Sequence, residues 1–207
     1  MEKKITRGTA PYESGRARIK TTKFLQFVQN WWKPVCLWLV IGVVVATLSR
    51  VYCAQASRIS SDSMTPTLQT GDFIIVYKLG TLAVDDIVVF HVPERNTDFV
   101  KRCVALAGDT VEVRNKDLFV NNVFIPLPPQ AVHGDTKTYP KQNSPRDFFG
   151  PYVVPNDHFF VMGDNRDDSF DSRYLGAIPN DQIVGLAVCT YWSWNNGLHA
   201  ERIFCGL

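Results

Sequence analysis

Phe99-Val100-Lys101-Arg102-Cys103-Val104-Ala105-Leu106-Ala107, then Gly108-Asp109, then Thr110-Val111-Glu112-Val113-Arg114, is the stretch on which the fold is decided. The first run reads as a strand with few polar neighbours able to solvate the ammonium group of Lys101, Gly108-Asp109 as a turn, and the second run as another strand. Leu118-Phe119-Val120 and Val123-Phe124-Ile125 follow on either side of Asn121-Asn122. Asparagine tolerates positive φ, so a tight hairpin is expected there. Phe73 to Tyr77 and Asp86 to Phe90 add strands upstream, and His158 to Met162 and Ile183 to Trp192 add two downstream, separated by a polar loop. Short strands with frequent turns predict a mainly β body. Between Pro126 and Pro151 the chain becomes rich in proline, lysine and polar residues, which predicts an irregular arm over about 115–155.

Ahead of this body, Pro34-Val-Cys-Leu-Trp-Leu-Val-Ile-Gly-Val-Val-Val-Ala-Thr-Leu48 carries no charge and continues through Val51 to Ala54. With Trp31 and Trp32 suited to a headgroup layer and Lys33 and Arg50 able to snorkel, the segment reaches the ~20 residues of a bilayer span. An apolar circumference without a polar stripe argues against a core helix. Lys3, Lys4, Arg7, Arg16, Arg18, Lys20, Lys23 and Lys33 precede the span against only Glu2 and Glu13. That asymmetry predicts a basic, solvated cytoplasmic tail over 1–33, a transmembrane helix over 34–54, and a β domain over 55–207 on the opposite side.

The 207 residues carry a net charge of only +2, and the basic excess lies outside the β body, so nucleic acid is not an expected partner. Cys36, Cys53, Cys103, Cys189 and Cys205 form neither a C-x-x-C pair nor a zinc spacing. Cys36 and Cys53 sit in or beside the span; the other three read as small buried hydrophobes, with a disulfide between two of them left open. No metal or organic cofactor is expected.

Just past the span, Ser61-Asp62-Ser63-Met64 leads into Pro66-Thr67. A serine attacks only when a base takes its proton. His91, His133, His158 and His199 are scattered without an acidic partner in a triad pattern, which leaves Lys101 as the candidate base. A free lysine titrates near 10.4 and is useless as a base at neutral pH; desolvation must lower it by roughly 2 to 3 units. The loop Gly163-Asp164-Asn165-Arg166-Asp167-Asp168-Ser169-Phe170-Asp171-Ser172-Arg173 packs charges of both signs more densely than any other part of the chain.

Taken in order, Ser-x-Ser-Met-x-Pro-Thr, Lys-Arg with Gly-Asp seven residues after the lysine, and Gly-Asp-Asn-Arg-Asp-x-Ser-x-Asp-Ser-Arg resemble the type I signal peptidase family, over about Ile59 to Gly185. The resemblance implies an all-β catalytic domain of short antiparallel strands, with a smaller inserted arm, behind a single anchor. It implies Ser63 as nucleophile, Lys101 as general base, Ser61 as an oxyanion-hole hydroxyl and Ser169 as the group that orients the lysine amine. Asp171 and Arg173 are expected as a structural ion pair, Asp164 and Arg166 as shapers of the same loop, and Arg102 on the strand face opposite Lys101. Ile59, Met64, Leu68, Ile74, Phe99 and Val100 are candidate linings of shallow pockets for small residues before the cut. Signal peptides of preproteins are the implied substrates, with membrane lipid and a secretion translocon as further candidate partners. Ser60, Asp62 and Ala107 depart from the residues frequent in the family; Asp62 puts a carboxylate beside the nucleophile, where it would tend to raise the lysine's pKa unless it points away. Two other readings share parts of the pattern: a specialised Ser-Lys peptidase with a narrow client such as a pilin, and an inactive membrane-tethered β-rich binding subunit.

Overall fold

The computed structural model describes residues 15–194, 197, 199–203 and 205–207, with side chains from Asn30 onward except those of Val51 and Cys205. The chain divides between Leu48 and Ser49 into two units. Helix α1 runs Gly15–Tyr52. The stretch read as a solvated tail is thus helical from Gly15, and residues 1–14 lie outside the described residues. From Asn30 to Arg50, 21 residues, every side chain is exposed, and the helix is long and apolar enough to cross a membrane. At 1.5 Å per residue it spans roughly 31 Å, about one hydrocarbon core. The helix ends at Tyr52 and the next strand starts at Ala54, so the last residues of the expected 34–54 span belong to the turn and the strand.

The rest is antiparallel sheet. In chain order the strands are β1 Ala54–Arg58, β2 Asp72–Tyr77, β3 Ile87–Val92, β4 Thr97–Leu106, β5 Thr110–Arg114, β6 Asp117–Val120, β7 Val123–Ile125, β8 Phe149–Val153, β9 His158–Met162, β10 Ile178–Pro179, β11 Ile183–Ser193 and β12 Cys205–Gly206. A one-turn helix, α2, covers Ser172–Leu175. The larger sheet has the order β1-β2-β11-β3-β4-β9-β10 with β12 on β11, and the smaller has β7-β6-β5-β8. Asn121 and Asn122 both take positive φ in the β6–β7 turn, the geometry a two-residue hairpin requires. Within the segment read as an arm, β6, β7 and β8 are regular strands; among the described residues only the stretch between β7 and β8 lacks them.

Alternation along the strands builds the core. Ile74 and Val76 of β2 bury with Ile59, Met64, Leu68, Ile87 and Val89 in one cluster. Phe90, Cys103, Phe159 and Val161 form a second around β3, β4 and β9, and Val111, Val113, Leu118, Phe160 and Met162 a third between the sheets. The strand order also sets where the reactive side chains stand. The segment between β1 and β2 carries Ser63, β4 carries Lys101, and β11 lies between β2 and β3, paired to both.

The cysteines divide. Cys103 is buried, as read, and burial pushes its thiol up to about 12, Cys189 is only half-buried, and of the two in or beside the span Cys53 is half-buried and Cys36 exposed on α1. These four are free thiols, and the Cys205 side chain lies outside the described residues. Trp192 and Trp194 are 42% and 54% exposed.

Candidate active site

Three segments distant in sequence meet at one cleft. The first is the turn after β1, where Leu68 N–H donates to the Met64 carbonyl and packs Met64 and Leu68 into the core. This leaves Ser61, Asp62 and Ser63 along the cleft. The second is β4, whose residues Arg102 to Leu106 pair with β9, while Thr97 to Val100 extend beyond β9 along the cleft wall. The third is the loop from Gly163 to α2. It is tied to the first by Asn165 N–H donating to the Ser63 carbonyl at 3.0 Å and by the Asn165 side-chain amide donating to the Asp62 carbonyl at 3.2 Å. Gly163 makes the closeness possible: a Cβ there would overlap the Ser169 hydroxyl and the Ser63 carbonyl.

At the meeting point Lys101 Nζ lies 2.5 Å from Ser63 Oγ. Lys101 is 3% exposed. Burial pushes its pKa down to about 8; Asp171 opposes that shift, Arg173 adds to it and Asp164 opposes it. Ser61 Oγ is 3.3 Å from Ser63 Oγ, on the exposed side. Ser169 is buried in the same site, but its hydroxyl donates to Asp171 Oδ2 at 2.7 Å, and among the described residues no hydrogen bond joins it to Lys101.

Two arginine–carboxylate pairs flank Ser63 and Lys101, whereas Nε and Nη2 of the buried Arg166 meet no acceptor among the described residues. Arg102 crosses to Asp164 with two bonds, Nε to Oδ1 at 2.8 Å and Nη2 to Oδ2 at 2.7 Å, and Thr67 donates to the same Asp164. Arg173 grips Asp171 through Nε and Nη2 at 2.9 and 2.8 Å, and Asp171 also accepts from Gly163 N–H. These contacts hold the Asp171 carboxyl below its usual range even though burial works the other way. Arg166 is buried against Met162 Sδ and its carbonyl accepts from Arg173; burial, then the Arg173 charge, lower it to about 10. Asp62 turns its carboxylate to the Thr70 hydroxyl at 2.8 Å.

The cleft holds about 450 Å³. Ile59, Met64, Phe99 and Val100 line it, whereas Leu68 and Ile74 are wholly buried behind it. Sequence reasoning missed other lining residues: Arg58, Arg95, Asp168 and Phe170. Arg95 sits in a one-turn helix between β3 and β4, and nothing local links it to Phe170, 75 positions on. Also missed was a buried-edge network in which Lys116 meets Asp167, Asp135 and Asp147 at 2.8, 3.3 and 3.8 Å and Arg146 meets the same three carboxylates. It binds the segment between β7 and β8 to the loop that carries Ser169.

Chemically, an amine with a lowered pKa beside a hydroxyl is suited to acyl transfer through a serine ester. Residues 31–192 match the family model described as signal peptidase, peptidase S26. A signal peptidase I from Leptolyngbya laminosa is 36% identical over 168 residues, covering 75% of this chain and 77% of that protein. A signal peptidase I P from Bacillus subtilis subsp. natto is 34% identical over 182 residues, covering 86% and 95%. A crystal structure of a signal peptidase I from Enterococcus faecalis V583 aligns with a TM-score of 0.40 at 27% identity, over 52% of this chain and 97% of that one.

Proposed function

The chain belongs to the signal peptidase family, peptidase S26, and on that premise we propose that it is a membrane-anchored serine peptidase that removes signal peptides by a Ser63–Lys101 dyad. The observation that carries the mechanism is the 2.5 Å approach of Lys101 Nζ to Ser63 Oγ, made by a lysine that burial has brought to about 8. At that value a useful fraction of the amine is neutral near physiological pH.

Neutral Lys101 takes the proton of Ser63, whose oxygen attacks the scissile carbonyl carbon. The oxygen of the tetrahedral intermediate is held by the Ser63 amide and the Ser61 hydroxyl, which stands 3.3 Å from Ser63 Oγ. The ammonium of Lys101 gives its proton to the leaving amine, and the acyl group stays on Ser63 as an ester. Lys101 then takes a proton from a water, hydroxide attacks the ester, and Ser63 recovers its proton. Asp171, fixed by Arg173, holds the Ser169 hydroxyl against the back of the site. Ile59, Met64, Phe99 and Val100 receive small side chains before the cut, so the favoured sites are Ala-x-Ala-like. Helix α1 is the anchor, the basic N-terminus stays cytoplasmic, and the β unit works on the far side on preproteins delivered at the lipid surface by a translocon.

The test is cleavage of a preprotein with an Ala-x-Ala site by the detergent-solubilised chain, with Ser63→Ala and Lys101→Ala alongside. Cleavage after the second alanine, lost in both variants, is expected. Cleavage that survives either substitution overturns the dyad, and a folded wild-type chain that cleaves no preprotein overturns the peptidase reading.

A further inference from the structure

The cleft carries a cation whose donors are unspent. Arg95 projects from the turn between β3 and β4, and its guanidinium carbon lies 4.3 Å from the Phe170 ring centroid and 5.9 Å from that of Phe99. The Phe170 ring is itself fixed: it stacks on Tyr174 at 5.3 Å and 23°, and the Tyr174 hydroxyl is 3.1 Å from Ser144 Oγ. Among the described residues no carboxylate or carbonyl accepts from Arg95. Of the cleft aspartates, Asp98 is engaged with His91 at 2.8 Å and Asp62 with Thr70 at 2.8 Å, and Asp168, which also lines the cleft, forms no ion pair with Arg95. Arg102 and Arg173, by contrast, spend their donors on Asp164 and Asp171.

A guanidinium lying on an aromatic ring keeps its N–H groups in its own plane, pointing outward from its edge. Held on a fixed ring, it loses little freedom when a planar acceptor arrives, and a carboxylate is the acceptor that matches its fork with two parallel bonds. Phe170 follows Ser169 directly and both Arg95 and Phe170 line the cleft that holds Ser63, so a polypeptide lying in that cleft passes this edge.

We propose that Arg95, seated on Phe170, is a specificity-determining residue that donates to an acidic side chain at one position of the polypeptide substrate. The inference rests on the reading of this cleft as the cleavage site. It departs from recognition by size alone, because the preference it creates is one of charge.

The full chain in detergent is given peptides with one cleavable bond in which Glu, Gln or Lys occupies each flanking position in turn. The quantity read is the ratio of kcat/KM for Glu over Lys at each position, which is internal to each enzyme. Wild type is expected to prefer Glu about ten-fold at one position. R95E reverses the preference at that position alone, and F170L, which removes the ring beneath the guanidinium, brings it towards one there. R95K, which keeps the charge without the guanidinium fork, falls between wild type and R95E. The proposal is overturned if R95E and R95K show the wild-type ratio throughout, or if the ratio shifts by the same factor at every position, since that is the long-range field of a changed charge. If wild type cleaves none of the Gln peptides, the peptidase reading itself fails, which is a different result from cleavage without a charge preference.

Discussion

Two lysines, Lys101 in the cleft and Lys116 at the β5–β6 turn, are both withdrawn from solvent, the first 3% exposed as a residue and the second 12% exposed in its side chain. Their surroundings drive them apart. Lys101 faces a hydroxyl, and burial brings it down to about 8. Lys116 is also penalised by burial, but its bonds to Asp167 and Asp135 outweigh the penalty and hold it above its ordinary value. Burial therefore makes a base only where carboxylates are kept away or already spent. Near Lys101 they are paired, Asp171 with Arg173 and Asp164 with Arg102, and the pull they keep on the ammonium is outweighed by burial, to which the Arg173 charge adds.

The same substitution at the two sites is the strongest way to break that contrast. Arginine stays protonated, so Lys101→Arg is expected to lower kcat/KM by about 10³-fold or more. Lys116→Arg, which keeps a cation among carboxylates, should stay within about three-fold of wild type in the same assay. Stability against pH separates them next. An ammonium held near 8 in the folded chain and 10.5 in the unfolded one costs on the order of 3 kcal/mol below pH 8, a cost that disappears as pH rises towards 10.5. Lys101→Met should therefore stabilise the protein at pH 6 and hardly at all at pH 10.5, measured by denaturant unfolding. Lys116 has the opposite sign. Its raised value gives a contribution that is full below about 10.5 and lost as pH climbs through the folded value, so Lys116→Met should cost about 1–3 kcal/mol at pH 7.

The pH dependence of kcat/KM in wild type should rise through about 8 as Lys101 loses its proton. Arg102→Met frees the Asp164 carboxylate to attract the ammonium and should move that rise to higher pH; adding Asp164→Asn should move it back. An unmoved rise in the single variant would mean that the pairing of Asp164 has no bearing on the base. The smallest effect is expected from Asp62→Gly. Its carboxylate is turned to Thr70, so the rise should stay where it was.

The strands that were legible in the chain are those whose own side chains build a face. In β2, β4, β9 and β11 the apolar runs supply the core clusters directly. The strand β1, Ala54-Gln-Ala-Ser-Arg58, has no such run and is held by pairing with β2 along its whole length, from Ala54 against Tyr77 to Arg58 against Phe73. The strand β8 was hidden by Gly150 and Pro151 inside a proline-rich stretch, and is a strand because β5 offers it an edge. The site divides in the same way. Residue types and order pointed to Ser63 and Lys101, but not to which charges of the loop 163–173 are surface and which are interior. Asp171 and Arg173 form the ion pair expected of them, but the partners that bury them and Asp164, from β4, the loop and the far arm, carry no local signal. Arg95 and Phe170 had no local signal at all, since a cation–π contact leaves no spacing to read.

The place of β11 in the sheet makes the enzyme's competence a matter of timing. The hairpin of β1 and β2 holds Ser63 and the hairpin of β3 and β4 holds Lys101, and the strand that lies between them, paired to both, is made more than 80 residues after Lys101. At roughly 5–20 residues per second of synthesis, Ser63 leaves the ribosome several seconds before that strand exists. Until then the two hairpins have no strand pairing them into one sheet, and the approach of the Lys101 amine to the Ser63 hydroxyl waits on the last long strand of the chain.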